Sequence, residues 1–323
     1  MSDAGLQHAA VVFNPTRVTE AVLRAHIDPA AKAAGWSETR WYETTLDDSG
    51  KGLTRRAVSD GASMVFAAGG DGTVRAVAEG IRDSGASLAL LPLGTGNLLA
   101  RNLHLPIGNL ADAVSIAFTG TTRNIDLGIA TLSRVDGSIE EHGFLVMAGM
   151  GIDADIMANT NETLKKTVGW LAYVDAGIRV IPDARPFRIR YQLDDKPQHS
   201  AHVSTILFGN CGTLTGGLEM MPDAIVDDGL LDVAVLQPKG TLGWFEVWRK
   251  LRWENGFLRR SSIGRMIIQA TSGSASTITY LRSSGITVSL DKPREVELDG
   301  DEFGVVAAVR FAADAGALAV RVR

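Results

Sequence analysis

The sequence predicts an α/β domain followed by a β-rich domain. Up to Arg123, short apolar runs alternate with segments that carry apolar residues at helical spacing, a pattern typical of an open, mostly parallel sheet. Beyond this point the apolar runs are short, often alternating, and separated by Gly, Asp and Pro, which indicates a β-sandwich or barrel. Because 323 residues are many for a single core, we assign residues 1–123 to a first domain and residues 124–323 to a second.

The predicted strands and helices of the first domain alternate along the chain. The strands are Ala9–Phe13, Thr39–Thr44, Met64–Ala68 and Leu88–Leu91, and the helices include Thr19–Ala34, Leu53–Ser59 and Leu110–Phe118. Ligands of such sheets bind at the carboxyl ends of the strands. Asn14 and Thr44 fall at this edge.

The apolar runs of the second domain predict a series of short strands. They are Phe144–Ala148, Phe187–Leu193, Ser204–Phe208, Leu231–Leu236, Gly264–Thr271, Ser276–Tyr280, Ile286–Leu290, Val305–Phe311 and Ala317–Val322.

Two glycine-rich loops follow neighbouring strands of the first domain. One reads Gly69-Gly70-Asp71-Gly72-Thr73, and the other reads Pro92-Leu93-Gly94-Thr95-Gly96-Asn97. Glycines let a backbone approach a ligand closely, and the amides at a helix N-terminus face an anion. Together the two loops predict an amide-lined edge that suits the phosphates of a nucleotide.

Three side chains of these loops add to this prediction. A carboxylate beside phosphates repels them unless a cation or a ligand hydroxyl lies between, so Asp71 indicates contact with Mg²⁺ or a ribose. Thr73 and Thr95 offer hydroxyls at the predicted helix starts. A role as N-cap explains both threonines equally well.

The composition, 45% hydrophobic and 21% charged, is that of an ordinary globular protein. A formal net charge of −5 argues against nucleic-acid binding through bulk positive charge. The single cysteine, Cys211, excludes an internal disulfide framework and fits a reducing compartment. The N-terminal residues lack the pattern of a signal peptide, and no apolar window approaches the length of a membrane span. We therefore expect a cytoplasmic protein.

The string GGDGT, followed about twenty residues later by PLGTGN, resembles the catalytic domain of the diacylglycerol kinase-type lipid kinases. Soluble bacterial diacylglycerol kinases, sphingosine kinases and ceramide kinases share that domain. GGDGT alone also occurs in NAD kinases and, more loosely, in phosphofructokinases, so the pair is the more specific signal. The resemblance implies an NAD kinase/phosphofructokinase-like first domain and a lipid-binding β-sandwich whose last strand packs back on the first domain. It also implies an active site in the cleft between the domains.

The resemblance further implies a Mg²⁺-dependent transfer of the γ-phosphate of ATP to a lipid hydroxyl. In the family, an Asn-Pro ends the first strand and a Thr after the second strand contacts the nucleotide. Asn14 and Thr44 match these positions, although Asn14 also suits a plain turn and Thr45 is an equal neighbour. The implied nucleotide site is completed by both loops, through Gly69, Gly70, Asp71, Gly72, Thr73, Gly94, Thr95, Gly96 and Asn97.

Two further stretches imply metal ligands. Met220–Val235 read MMPDAIVDDGLLDVAV, which is similar to a family motif where a structural Mg²⁺ takes one Asp side chain and two carbonyls. By position these are Asp228 and the carbonyls of Ile225 and Leu230, whereas an Asp-Gly hairpin explains the same residues without a metal. Asp126 resembles the Asp of an Asp-Leu-Gly turn that lies close to a bound metal in family members, and a plain turn is the alternative.

The stretch Glu295–Glu302 reads EVELDGDE, where the family has Asp-Gly-Glu and uses that Glu as its proposed general base. Asp301 takes the position with a side chain one methylene shorter, and Glu302 is the alternative. Phosphoryl transfer depends mainly on positioning and charge neutralisation, so the base is one contributor among several. Asp71 and Asp301 are the predicted catalytic residues.

The stretch Thr241–Arg260 combines aromatic and basic side chains. Such a composition suits an anionic bilayer surface, and a basic-aromatic helix packed on a domain edge explains it as well. We expect a lipid partner at the inner face of the membrane and no nucleic-acid partner. The oligomeric state stays open, with a homodimer as one arrangement, and the sequence does not name the lipid acceptor.

Three other interpretations were weighed. Gly149–Ala154 match the dinucleotide fingerprint G-x-G-x-x-A, which we reject because the helix it should open, Asp155–Thr163, is polar. Asp301 in place of Glu favours a nucleotide-binding regulator, or pseudokinase, that has lost efficient transfer. An NAD kinase-type enzyme is the third, but its implied adenosine-binding pair, matched by Asn161-Glu162, lacks flanking strands.

Overall fold

The computed structural model describes residues 7–151, 186–194, 196–214, 218–238, 243, 247 and 278–323. The chain divides into two compact units, one formed by Met1–Leu127 with Ala315–Arg323 and the other by Gly128–Asp314. Several predictions lie outside the described residues. They concern Asp155–Thr163, Asn161-Glu162, Gly264–Thr271 and all but residues 243 and 247 of Thr241–Arg260.

The first unit begins with regularly alternating strands and helices. In chain order these are β1 (Ala9–Phe13), α1 (Glu20–Ala33), β2 (Arg40–Glu43), α2 (Lys51–Ser59), β3 (Met64–Gly69), α3 (Asp71–Ile81), β4 (Ser87–Pro92), α4 (Leu98–Asn102) and α5 (Leu110–Thr119). All predicted strands and helices of this region are present with ends within a few residues of the prediction.

The strands of the first unit form a parallel sheet. β1 pairs with β2 and with β3, and β3 pairs with β4, each in parallel. The last part of β14 (Asp301–Val322) pairs with β4, also in parallel. β1 and β3 are buried along their whole length, as expected of parallel strands. The prediction of an open, mostly parallel α/β sheet is confirmed.

The helices of this unit bury one face, and the start of α2 is held by a carboxylate. In α1 the buried residues are Leu23, Ile27 and Ala31, spaced so that they form one apolar stripe. The start of α2 is held by Asp48, whose carboxylate accepts hydrogen bonds from the amides of Gly52 at 3.2 Å and Leu53 at 2.9 Å. These bonds satisfy amides that have no partner within a helix.

The second unit is built from antiparallel strands. They are β5 (Thr121–Ser133), β6 (Ile139–Phe144), β7 (Met147–Met150), β8 (Phe187–Leu193), β9 (His199–Val203), β10 (Thr205–Gly209), β11 (Leu231–Leu236), β12 (Ile278–Ser283), β13 (Gly285–Leu298) and the first part of β14. Along the chain of pairings the order is β12-β11-β10-β7-β13-β14, and β13 also pairs with β8. The prediction of a β-rich second part is confirmed.

One face of this sheet supplies the core of the second unit. The alternate residues Ala148 and Met150 of β7, Ile206 and Phe208 of β10, and Val296 and Leu298 of β13 belong to one buried cluster. Phe208 and Phe311 stack there with ring centroids 4.0 Å apart. Because side chains alternate along a strand, residues 149, 205, 207, 295 and 297 point to the opposite face.

Two predicted boundaries are wrong. Asn124-Ile125-Asp126-Leu127-Gly128 was expected to form a turn, but it lies within the continuous strand β5. Val305–Phe311 and Ala317–Val322 were predicted as separate strands, whereas they belong to the single strand β14. In β5, Gly128 pairs with Phe144 of β6, so this glycine does not end the strand.

A two-residue turn at Asp299-Gly300 joins β13 to β14. Both residues have a positive φ, 50° and 92° respectively, as a type I′ hairpin requires. The buried Asp299 carboxylate accepts hydrogen bonds from the amides of Leu145, Val146 and Met147 at 2.7, 2.8 and 3.1 Å. This side chain therefore ties the hairpin to the start of β7.

None of the helices in the described part of the chain has the length and apolar character that crossing a membrane requires.

Replacing Asp299 by Ala should lower the free energy of unfolding by about 3 kcal/mol, because three buried amides lose their acceptor. Urea denaturation measures this change, with Asp291→Asn at an exposed position of the same hairpin's first strand as the control. Equal stability of Asp299→Ala and wild type would contradict the structural role assigned to this carboxylate.

Candidate functional site

The predicted nucleotide residues of the first unit gather at the carboxyl edge of its parallel sheet. Asn14 follows β1, Thr44 follows β2, and the two glycine-rich loops follow β3 and β4. The last paired residues of β3 and β4 are Gly69 and Pro92, so both loops leave the sheet at the same level. This edge is where open α/β sheets bind ligands.

The two glycine-rich loops touch through their backbones. A Cβ added to Gly94 would lie 2.6 Å from the Cα of Gly70, and one added to Gly96 would lie 2.5 Å from a carboxylate oxygen of Asp71. Neither distance is compatible with a real side chain. These positions therefore require glycine because of a close approach within the protein itself, in addition to any ligand that the loops admit.

Asp71 fixes the second loop to the first. Its Oδ2 accepts a hydrogen bond from the amide of Asn97 at 2.9 Å, and its Oδ1 accepts one from the amide of Leu98 at 2.6 Å. Asp71 is the first residue of α3, and Leu98 is the first residue of α4. The carboxylate thus holds the starts of two helices side by side.

Asn97 closes the second loop on itself. It adopts a left-handed conformation with φ of 50°, and its amide oxygen accepts a hydrogen bond from the amide of Gly94 at 2.9 Å while its Nδ2 donates to the Gly94 carbonyl at 2.8 Å. Thr95, at the tip of this loop, is exposed, whereas Thr73 is buried in the first turn of α3. Of the two threonines, Thr95 is the one available to a ligand.

Asn14 and Thr44 have local roles at the same edge. The Asn14 side-chain oxygen accepts hydrogen bonds from the amide and the hydroxyl of Thr16, at 2.9 and 2.7 Å, so the plain-turn interpretation of Asn14 describes its geometry. Thr44 is buried, and its amide donates to the carbonyl of Phe13 at 2.9 Å. Their contact with a nucleotide stays a prediction.

Asp126, predicted to lie near a metal, is 1% exposed and belongs to β5. One of its carboxylate oxygens accepts a hydrogen bond from the amide of Gly316 at 2.8 Å. Within the first unit, this side chain therefore links β5 to the last part of β14.

The loop that carries the predicted metal ligands in the second unit contacts a positively charged side chain, that of Arg282 in β12. Arg282 donates from Nη2 to a carboxylate oxygen of Asp228 at 2.8 Å and to the carbonyl of Asp223 at 2.9 Å. Its Nε lies 3.1 Å from a carboxylate oxygen of Asp232. Burial raises the pKa of Asp232, and the Arg282 charge opposes this rise. The guanidinium thus neutralises this acidic loop.

The chemistry of the predicted ligand set fits a hard cation, since it consists of oxygens alone. Both carboxylate oxygens of Asp228 already accept hydrogen bonds, however, because the second oxygen accepts one from the amide of Leu230 at 3.1 Å. In the described residues, no group of three or more His, Cys, Asp or Glu side chains forms a metal centre. A Mg²⁺ ion held by Asp228 with the carbonyls of Ile225 and Leu230 would therefore share this carboxylate with Arg282.

The predicted base position lies at the start of β14 beside an unusual carboxyl group. Asp301 is exposed and pairs with Leu298, whereas Glu302 pairs with Glu297. Opposed residues of antiparallel strands lie on the same face, so Glu302 and Glu297 share a face of the sheet. Burial raises the pKa of Glu297 to about 8. The charges of Glu302, Glu295 and Asp301 add to this rise.

An apolar cavity of about 120 Å³ lies within the second unit. It is lined by Ile189, Tyr191, Ala201, Ile206, Val235, Gln237, Thr279, Leu281 and Ile286. Its walls come from six strands and most of the lining side chains are apolar, so it suits a part of an apolar ligand.

The raised pKa of Glu297 predicts a pH dependence of stability. Unfolding lowers this pKa from about 8 towards 4.5, so the folded state binds the proton more tightly and stability falls as the pH rises between these values. Glu297→Gln is neutral at every pH and should escape this fall. The melting temperature of Glu297→Gln should therefore exceed that of wild type, and the difference should grow as the pH rises from about 5 to about 8.

Melting curves across this pH range test the prediction, with Glu141→Gln, an exposed glutamate of β6, as the control. Parallel pH profiles for wild type and Glu297→Gln would show that Glu297 does not retain its proton.

Comparison with known families accounts for both units. Residues 8–130 match the family described as diacylglycerol kinase catalytic domain. Residues 146–322 match the family described as YegS C-terminal NAD kinase beta sandwich-like domain.

Individual proteins show the same similarity. A Pseudomonas aeruginosa protein named "Probable lipid kinase YegS-like" is 37% identical over 221 residues, which cover 66% of this chain and 69% of that protein. The diacylglycerol kinase of Bacillus subtilis is 25% identical over 306 residues, or 93% of this chain and 92% of that one. A solved structure of a diacylglycerol kinase from Bacillus anthracis superposes on this chain with a TM-score of 0.72 at 18% identity. The superposition covers 99% of this chain and 98% of that one, so the two proteins share the fold. The chain belongs to the diacylglycerol kinase family, with a diacylglycerol kinase catalytic domain followed by a YegS-type C-terminal domain.

Proposed function

We propose that this chain is an ATP-dependent lipid kinase that transfers the γ-phosphate of ATP to the hydroxyl of a diacylglycerol-like lipid. The observation that carries this proposal is the pair of glycine-rich loops that Asp71 fastens together at the carboxyl edge of the parallel sheet. Two fixed loops with glycine backbones and helix starts offer amides to the phosphates without a cost of ordering at the moment of binding.

In this proposal the protein acts mainly by positioning. The amides of Gly70, Gly72 and Gly96 and the exposed hydroxyl of Thr95 are the groups that would bind phosphate oxygens. Asp71 holds those amides in place through its bonds to Asn97 and Leu98. Carboxylate oxygens such as those of Asp71 are also the type of ligand that binds a ribose hydroxyl or a cation. Asn14 and Thr44 would contact the nucleotide at the same edge.

Mg²⁺ would be held by oxygen ligands and would supply neutralisation of phosphate charge when bound. Asp71 is the proposed ligand near the phosphates, and Asp228 with the carbonyls of Ile225 and Leu230 forms the proposed structural site. Asp126 is the proposed neighbour of a metal.

Asp301 is the proposed general base that accepts the proton of the lipid hydroxyl. It is exposed at the start of β14, as a group that meets a second substrate has to be. Glu302, the next residue, remains the alternative base. The apolar cavity of the second unit is the proposed place for part of an acyl chain. We further propose that the enzyme meets its lipid at the inner face of the membrane, through Thr241–Arg260.

The kinase proposal is tested by incubating the chain with γ-labelled ATP, Mg²⁺ and mixed lipid micelles. Labelled lipid should form with wild type and fall by about 10²- to 10⁴-fold in Asp301→Ala, since a positioned base contributes that much. Asp301→Glu, which restores the side chain of the family motif, should retain activity. Loss in Glu302→Ala with normal transfer by Asp301→Ala would move the base to Glu302.

The same assay distinguishes a kinase from the second candidate function, that of a nucleotide-binding regulator. If no acceptor becomes labelled although ATP binds, the chain is a nucleotide-binding regulator, which the shorter Asp301 side chain favours. The matched pair Asp71→Asn and Asp83→Asn tests the loops in the same assay, because Asp83 is an exposed aspartate with φ of 62° that tolerates Asn.

Filling the apolar cavity should impair the use of long-chain acceptors. Ala201→Phe places a ring where Ala201 lines the cavity and should lower kcat/KM for a long-chain lipid about tenfold, a difference of about 1.4 kcal/mol, without changing the KM for ATP. His202→Phe is the control, because the next residue of β9 is exposed and points to the other face. An unchanged kcat/KM would place the acyl chain elsewhere.

A further inference from the structure

Gly149 interrupts the row of side chains on one face of the sheet of the second unit. Gly149 lies directly between Glu297 of β13 and Leu207 of β10. The next residue, Met150, pairs with Val296 and Ile206, and all three belong to the core on the other face. Because Gly149 has no side chain, nothing from β7 projects between β13 and β10 at this position.

A cavity of about 10 Å³ lies at this position, room for roughly one water molecule. Its lining consists of Gly149, Met150, Gly151, Thr205, Leu207, Glu295 and Glu297. Two polar atoms of this lining are buried and have no hydrogen-bond partner, the Oγ1 of Thr205 and the Oε2 of Glu297. Thr205 is only 2% exposed.

The absence of a hydrogen bond at these two buried atoms destabilises the folded protein unless a small molecule binds between them. A buried hydroxyl or carboxyl without a hydrogen bond costs about 1–3 kcal/mol. The two groups approach the cavity from opposite sides, since Thr205 belongs to β10 and Glu297 to β13. A small molecule in the cavity would therefore satisfy both at once.

The charges around the cavity restrict what this molecule is. Glu295 on the same strand and Glu302 and Asp301 on β14 surround Glu297 with negative charge, which excludes an anion. β7 and β10 contribute no charged group to the lining. The guanidinium of the neighbouring Arg294 lies instead over the ring of Phe187, 4.2 Å from its centroid.

A hydrated divalent cation is excluded by size, because Mg²⁺ usually keeps several of its waters and the cavity has room for roughly one. What remains is a neutral group that both donates and accepts hydrogen bonds. A hydroxyl has these properties.

We propose that Glu297 and Thr205 together bind one neutral hydroxyl, of water or of an alcohol, in the cavity beside Gly149. Glu297 is protonated in this arrangement and donates its O–H to the bound oxygen. Thr205 accepts from or donates to the same oxygen. Where the hydroxyl is that of an alcohol, the inference rests on the proposed kinase function, and Glu297 becomes a positioning residue for the acceptor.

Crystal structures of the full-length wild type and of Thr205→Val test the proposal, because Val keeps the shape of Thr and removes its hydroxyl. Wild type should show one ordered oxygen within about 3.2 Å of both Glu297 and Thr205, and Thr205→Val should lose it. Thr287→Val, a partly exposed threonine of β13, should leave it in place. An empty cavity, or a direct hydrogen bond between Glu297 and Thr205, would overturn the proposal.

Infrared spectroscopy at neutral pH gives a second readout that does not depend on catalysis. Wild type should show the carbonyl band of a protonated carboxylic acid, and Glu297→Gln should lack it. A spectrum without such a band in wild type would overturn the protonated donor and with it the proposal.

Kinetics then distinguish the two sources of the hydroxyl. If it belongs to the lipid acceptor, Thr205→Val should raise the acceptor KM several-fold and leave the KM for ATP unchanged. If it is a water molecule, both KM values stay as in wild type, and the proposal holds for water. A wild type that transfers no phosphate but shows the ordered oxygen would refute the kinase proposal alone.

Discussion

The first unit depends on one carboxylate. Asp71 accepts hydrogen bonds from two amides at the start of α4 while it forms the start of α3, and this contact brings the backbones of Gly70 and Gly94 together. The pairing of β3 with β4 brings both loops to the same level of the sheet, and Asp71 adds the contact that holds the two helix starts side by side. A phosphate site made of amides needs this fixed spacing, because flexible loops would lose conformational entropy on binding.

The second unit uses the same device in a different fold. Asp299, held in a left-handed conformation by its turn, accepts hydrogen bonds from three consecutive amides. It thereby sets the position of the hairpin that carries Asp301 and Glu302 next to Gly300. In both units, then, an aspartate beside a glycine turn anchors the segment that carries the proposed chemistry, and its carboxylate accepts hydrogen bonds from main-chain N–H groups.

Acidic groups of the second unit are neutralised in two different ways. Asp228 and Asp232 share the guanidinium of Arg282, which places a positive charge between the two carboxyl groups. In the part of the chain that the structure describes, Glu297 has no such cation, and burial raises its pKa to about 8. The difference follows from what the neighbouring strand offers, since β12 places Arg282 directly opposite Asp232, whereas β14 places Glu302 opposite Glu297.

The sequence by itself determined the α/β and β-rich parts, most strand and helix bounds of the first unit, and the two glycine-rich loops, because these depend on local periodicity and on glycine and proline. It also located Asp71, Asp228 and Asp301 through motifs. It missed Asp299, although the Asp-Gly turn signal was present, and it missed Arg282, Thr205 and Glu297. Only the tertiary structure decided their roles, because strand register sets which distant side chains meet across a sheet, and no local pattern encodes that pairing.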